Sequence, residues 1–395
     1  MTFREHMKKG LGLNNLGHAY NDIYFLIIPL LLPFLKAEFN LTYAQSGLIL
    51  TGHLGVRSLF SYISGHLGDK YDKRFIISAG FIISSFFLAS LILAGSITSV
   101  VVYLLLLAIG VATFHPLATA MAGEDAVPEY RAFHMGIFET TGAIGIILAS
   151  LTFGLAVQNW GWRQTCLLLS LPGLPLAWAY LKIKKEEVDP LSIAENNVDR
   201  FYIILFIIAR GIRGLGIGVI MSFLPTYGTD HLGLSAGAVS WLMTLFFIGG
   251  IFGALGGGWL SDKSSPLLLV WVTTVITVPL TILITYTGSP LIVYILVFIF
   301  GIVNSAFFTP QNCWLTMVST VATRGKVLGA AFLIEGFSNT ISPALFGWIA
   351  DNIGLAGSFR WSVVPVALSL IFFLKLYNLQ LRGELSCRKY EELCS

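Results

Sequence analysis

Apolar stretches of about twenty residues alternate with short polar breaks along nearly the whole chain, and about twenty is the length a helix needs to cross a bilayer. Twelve stretches qualify, at about residues 13–35, 43–66, 74–95, 98–122, 132–157, 161–182, 200–227, 235–260, 266–287, 290–318, 324–350 and 356–379. The breaks collect the Pro, Gly and charged residues, as turns do. The pattern predicts an all-α integral membrane protein with twelve transmembrane helices.

The breaks also carry an orientation. Arg4, Lys8 and Lys9 precede span 1, Lys70, Lys73 and Arg74 follow span 2, and Arg131 follows span 4. "KIKKEEVDPLSIAENNVDR" follows span 6, Lys263 follows span 8, and Arg324 and Lys326 follow span 10. The opposite breaks hold only Lys36, Arg163 and Arg360. By the positive-inside rule both termini are expected in the cytoplasm, with the chain multi-pass in the cell (inner) membrane. No cleavable leader is expected, because the polar, basic "MTFREHMKKG" runs into an apolar stretch too long for one.

The spans repeat. "GHLGDK" at 65–70 returns as "GWLSDK" 193 positions later, "FHP" at 114–116 returns as "FTP" at 308–310, and Arg163 and Arg360 fall in matching outer breaks. Two six-helix bundles in parallel orientation follow: 1–185, a cytoplasmic linker at 186–199, and 200–395 with a short polar tail. Two repeats around a central site are the plan of a transporter that alternates its access.

Composition narrows the class. Of 395 residues, 55% are hydrophobic and 11% charged, and the net charge is only +3. Those charges are scattered between spans, so nucleic acid is not an expected partner; the lipid bilayer is. Cys166, Cys313, Cys387 and Cys394 include no CxxC pair, so neither a metal centre nor a disulfide framework is expected. No nucleotide loop or nucleophile set is present. An enzyme is not expected, and neither is a cofactor.

The candidate chemistry lies inside the spans. An Asp at the centre of a membrane helix costs about 2.5–3.5 kcal/mol, yet span 1 holds both His18 and Asp22, four apart on one helix face. His53 and Arg57 repeat that spacing in span 2, and span 7 brings Arg210 and Arg213. With an offset of 192, Arg210 falls opposite His18 and Arg213 opposite Asn21. Glu139 in span 5 and His115 before Pro116 in span 4 lie within reach of each other. Glu335 in span 11 has Gly142 as its repeat counterpart, one turn from Glu139. So many polar groups at one depth serve packing poorly, since each needs a partner in a low-dielectric site. Three basic groups beside one acid leave positive charge that a bound anion would balance. Asn304 in span 10 is a weaker candidate, along with Gln311 and Asn312. Gly249, Gly253 and Gly257, at spacing four, read as a small-residue stripe for close helix packing. Trp241, Trp259, Trp271 and Trp348 read as interface anchors.

"GHLGDKYDKR" is similar to the loop signature of the major facilitator superfamily, Gly-x-x-x-Asp followed by basic residues. More narrowly, "LGHAYNDIYFLIIPLLLPFLKAEFNLTYAQSGLIL", "GDKYD", "FHP" and "FETTGAIG" resemble the fosmidomycin-resistance family. The chain departs from that pattern at Leu117, where an acid is usual, at Asp72, where Gly is usual, and in "SDKSSPL", where the second copy loses its basic pair. The resemblance implies that spans 1 and 7 line a central cavity. It also assigns the signature loops (Gly65, Asp69 and Lys70, with Asp262 and Lys263 in the second copy) to gating between states.

The expected function is then secondary active transport: a proton-coupled antiporter exporting a small anionic organic compound or drug. Asp22, His18, Glu139, Glu335 and His115 would carry protons. Arg57, His53, Asn21, Arg210, Arg213 and Asn304 would bind substrate. A proton symporter importing an organic anion or metal chelate is the alternative, and a channel or scramblase a remote one. A monomer is expected.

Overall fold

A computed structural model describes residues 12–68, 70–125, 131–182, 200–318, 321–383 and 385. The expected linker at 186–199, the residues before Gly12, Asp69, and Cys387 and Cys394 lie outside that set. Among the described residues the secondary structure is helical. α1 (Leu13–Phe39), α2 (Tyr43–Gly68) and α3 (Lys73–Ser90) hold spans 1 to 3, and α4 (Ile97–Ala112) and α5 (Phe114–Asp125) share span 4. α6 (Arg131–Ser170) holds span 5 and runs into span 6, which α7 (Gly173–Lys182) completes. α8 (Arg200–Asp230), α9 (Ala236–Lys263), α10 (Pro266–Tyr286) and α11 (Pro290–Val318) are spans 7 to 10, and α12 (Val321–Leu381) holds spans 11 and 12.

Local chemistry sets several ends. α1 stops where Asn40 turns left-handed at φ 51°, its N–H returning to the Lys36 carbonyl. Asp72 caps α3 by accepting from the Arg74 N–H at 3.0 Å. Ser265 caps α10, and Pro266 opens it where its missing N–H costs nothing.

The two long helices are each interrupted once, at Gly161 (φ 76°, ψ 167°) and Gly354 (φ 74°, ψ 165°). At that positive φ a side chain would crowd the preceding carbonyl, which glycine avoids. The two glycines are 193 positions apart, so the repeat read from the signature loops recurs in backbone conformation. Arg163 and Arg360 are not at equivalent numbers, yet they do equivalent work. Arg163 Nη2 donates to the Ala94 carbonyl at 2.9 Å and Arg360 Nη2 to the Thr285 carbonyl at 3.2 Å, tying each bend to the end of the third span of its half.

The contacts divide the chain into two units. The first holds α1, α2 from Leu48, α3 to α7, and the segment Leu234–Thr244; the second holds Thr42–Gly47, α8, α9 from Leu245, and α10 to α12. In the first, α1 packs chiefly on α6, and α3 on α4 and α7. In the second, α8 packs chiefly on α12, and α10 on α11 and α12. A buried cluster of Phe206, Trp314, Phe307, Phe373 and Leu376 lies among α8, α11 and α12. The glycine stripe makes the expected approach: a Cβ at Gly249 or Gly253 would stand about 2 Å from the carbonyl oxygen of Phe298 or Ile302.

Eight helical stretches among the described residues are long and apolar enough to cross a membrane, two of them, of 43 and 55 residues, spanning the bends at Gly161 and Gly354. Large apolar side chains such as Leu48, Phe86, Leu155, Phe252 and Ile371 point outward, as do Trp241, Trp259 and Trp348. A helical protein presenting that surface belongs in lipid. α1 and α2 are not among those eight stretches. They are the helices that carry His18, Asp22, His53 and Arg57.

Candidate functional site

The first unit gathers its ionisable groups around Asp22. His18 and Asp22 are 2% and 7% exposed. His18 Nε2 lies 3.5 Å from Asp22 Oδ2, the i to i+4 contact that the sequence spacing predicts. The other His18 nitrogen, Nδ1, is 2.7 Å from the Phe138 carbonyl, to which it donates. The ring also stacks on Phe138 with centroids 4.1 Å apart. Those two contacts fix the imidazole's orientation and leave Nε2 facing the carboxylate. From α5, His115 Nε2 approaches Asp22 Oδ1 to 3.2 Å. It stands off the line of a hydrogen bond, so that oxygen is buried with no aligned donor. Asn21 Nδ2 lies 3.2 Å from His115 Nδ1.

Arg57 acts on Asp22 electrostatically and stacks on Phe25 with Cζ 4.3 Å from the ring centroid. His53 does not join the cluster through a hydrogen bond. Its Nδ1 donates to the Leu104 carbonyl at 3.0 Å, and its buried Nε2 has no partner. His18, Asp22 and His115 are the group among the described residues whose donor atoms, all within 4.8 Å of one another, could share a small cation. A proton or a metal ion answers that description. The Arg57 charge nearby weighs against the doubly charged of the two.

The second unit has a different arrangement. Arg210, 1% exposed, donates through Nε to Glu335 Oε2 at 2.9 Å, with Nη2 closing on the same oxygen. Its Nη1 reaches Asn312 Oδ1 at 3.4 Å. Arg213, 2% exposed, has no carboxylate partner among the described residues. Its Nη2 donates to Asn304 Oδ1 at 3.2 Å, its guanidinium lies over Phe307 with Cζ 3.6 Å from the centroid, and its Nε is buried without a partner. One turn from Phe307, Gln311 is fully buried with both amide atoms unpartnered.

One expectation changes. The sequence counted three basic groups against one acid, but Glu335 neutralises Arg210, so Arg213 and Arg57 are the arginines of that set with no ion pair among the described residues. His115 meets Asp22; the Glu139 side chain, expected within reach of His115, lies outside the described set. Of the signature loops, Gly65 is half-buried, Lys70 is exposed, and Lys263 is exposed with Nζ 3.8 Å from the Trp259 centroid. Asp69 and the Asp262 side chain are not among the described residues. Sequence reasoning missed the Phe138 carbonyl and the Phe307 ring, because neither has a polar side chain to flag it.

A fold of two helical units, each with buried charge at one level of its first helix, defines a membrane transporter. The Major Facilitator Superfamily profile matches residues 18–201 and 206–386, and the chain belongs to that family. It is 22% identical to the cis,cis-muconate transport protein of Acinetobacter baylyi over 84% of this chain and 86% of that one. It is 25% identical to the fosmidomycin resistance protein of Escherichia coli over 87% of each. Its fold matches a crystal structure of a bacterial homologue of the human lysosomal transporter Spinster, inward-facing and unoccupied, with TM-score 0.83 and 18% identity over 97% and 99% of the two chains. The protein is therefore a multi-pass membrane transporter of a small molecule and not an enzyme.

Proposed function

We propose that the protein is a proton-coupled antiporter that exports a small organic anion by alternating access. It would act as a monomer in the inner membrane, with both termini cytoplasmic. The observation that carries the anion is Arg213: a buried guanidinium with no carboxylate partner among the described residues and an unsatisfied Nε–H costs too much to be kept for packing. A substrate carboxylate or phosphonate would satisfy it with paired charge-assisted hydrogen bonds. Asn304 orients Arg213, Arg210 stands beside it with its charge met by Glu335, and Arg57, His53 and Asn21 provide polar groups in the first unit. Asp22 with His18 and His115 carries the proton, because a carboxylate between two imidazoles is a site where a proton can be held or released. Glu139 is the reserve acid. Gly65, Asp69, Lys70, Asp262 and Lys263 serve the change of state.

Export rests on the likeness to the fosmidomycin resistance protein. The likeness to a muconate transport protein supports a second reading, proton symport importing an organic anion. Proteoliposome flux of labelled cis,cis-muconate and fosmidomycin, with a pH gradient imposed in either direction, decides between them. Accumulation against a proton gradient running the opposite way supports antiport. Flux that neither saturates nor responds to the gradient would refute coupled transport altogether.

A further inference from the structure

The two units carry the same three-position charge site with the acid moved from one helix to another. The base stands at His18 on α1 and at Arg210 on α8, 192 positions apart. One turn on, Asp22 in the first unit corresponds to Gly214 in the second. On the helix packed against it, α6 or α12, Gly142 in the first unit corresponds to Glu335 in the second, 193 positions on. Acid and glycine have changed places, and the base has kept its own.

The geometry gives that exchange a cause. A Cβ built on Gly142 would stand 2.6 Å from Asp22 Oδ2 and 2.8 Å from both Cε1 and Nε2 of His18. These are distances real contacts do not reach. His18 has nowhere to retreat, since its ring is stacked on Phe138 and its Nδ1 is bonded to that residue's carbonyl. In the second unit a Cβ on Gly214 would be 3.7 Å from Glu335 Cγ and 3.4 Å from Ser338 Cβ, ordinary contact. We propose that Gly142 is the positioning residue of the proton site. Its missing side chain leaves open the place that Glu335 fills in the second unit, and this allows a carboxylate on α1 to close on His18. The inference rests on the reading above that Asp22 takes the proton.

The charged and titratable groups around the pair are few. α5 brings His115, α2 brings Arg57 and His53, and α7 brings Tyr180. α1 itself adds Tyr20 and Tyr24. On α6 the side chains of His134 and Glu139 are outside the described residues.

A test needs no transported substrate. Infrared difference spectra of the purified, reconstituted protein across a pH series give the titration of the buried carboxylic acid band, and loss of the band in Asp22→Asn assigns it. Gly142→Ala is expected to move the midpoint of that band to higher pH by about one unit, the size an adjacent opposite charge contributes. Gly214→Ala, the same added methyl in the second unit, is expected to leave it in place. A midpoint unchanged in Gly142→Ala overturns the inference while the proton reading stands. A band that survives Asp22→Asn defeats the proton reading, and the inference with it.

Should Gly142→Ala unfold, thermal stability in an Asp22→Ala background keeps the question open to measurement. The added methyl should be tolerated better where the Asp22 carboxylate is gone. An equal loss of stability in both backgrounds overturns the proposal.

Discussion

Replacing Glu335 with Gln tests whether this acid is a counter-ion or a proton carrier. Arg210 is 1% exposed and Glu335 is 9% exposed, and one Glu335 oxygen receives two of the guanidinium nitrogens. Among the described residues that guanidinium otherwise meets only Asn312 Oδ1, at 3.4 Å, and the Phe332 ring, with Cζ 4.8 Å from the centroid. Glu335→Gln keeps the shape and removes the charge, leaving Arg210 buried and unbalanced. Breaking a buried pair by removing one partner costs about 3–5 kcal/mol. Replacing both partners by apolar groups of similar volume is far milder, and Arg210→Met with Glu335→Leu should regain most of the loss. Thermal unfolding of the parent, Arg210→Met, Glu335→Leu and the double variant, set out as a double-mutant cycle, gives a coupling energy of about 2–3 kcal/mol if the pair is structural, near the upper end for residues in contact. If Glu335 instead carries a proton in transport, the cost is already limited by a neutral form the protein visits. Glu335→Gln would then be nearly as stable as the parent while gradient-driven accumulation disappeared. That combination would refute the counter-ion argument.

Asp22→Asn should retain exchange of labelled substrate between equal pools and lose pH-driven accumulation; a variant with full uphill transport sinks the proton role of Asp22. Arg213→Ala should weaken binding of an anionic substrate at least ten-fold, about 1.4 kcal/mol, and Arg213→Lys by less, with competition binding as the check. Glu38 accepts from both Arg163 Nη atoms, at 2.9 and 2.6 Å, and from Trp162 Nε1 at 2.9 Å, and the Arg163 hydrogen bonds hold its carboxyl below the ordinary 4.5. Its contribution to stability is therefore present above that value and lost as pH falls below it. Glu38→Gln should flatten the acid limb of the thermal stability curve, and an unchanged limb would contradict this. Cysteine labelling from outside should reach a Cys placed at Ser289 and miss one at Ser192; the reverse pattern overturns the positive-inside orientation.

What the sequence made legible follows from where its signals come from. Apolar length is set by bilayer thickness, so the spans could be read without contacts, and the breaks between them came within a few residues of the helix ends. The i to i+4 pair of His18 and Asp22 is local, and the helix period alone places the two together. Long-range pairing is another matter. Arg210 meets Glu335 across 125 positions, and His115 meets Asp22 across 93. Nothing in the spacing of either helix says which acid a base will choose. Depth suggested Glu139 as a partner for His115, and depth alone did not single out Asp22, the acid His115 is seen to approach. The role of Gly142 was invisible for a further reason. A glycine contributes no atom to a motif, and its value appears only when the space beside it is measured. Counting charges against one another therefore overstated the unbalanced positive charge. Pairing removes Arg210 from the count and leaves Arg213, stacked on Phe307 with an idle Nε–H, as the fully buried arginine of the second unit with no ion pair among the described residues.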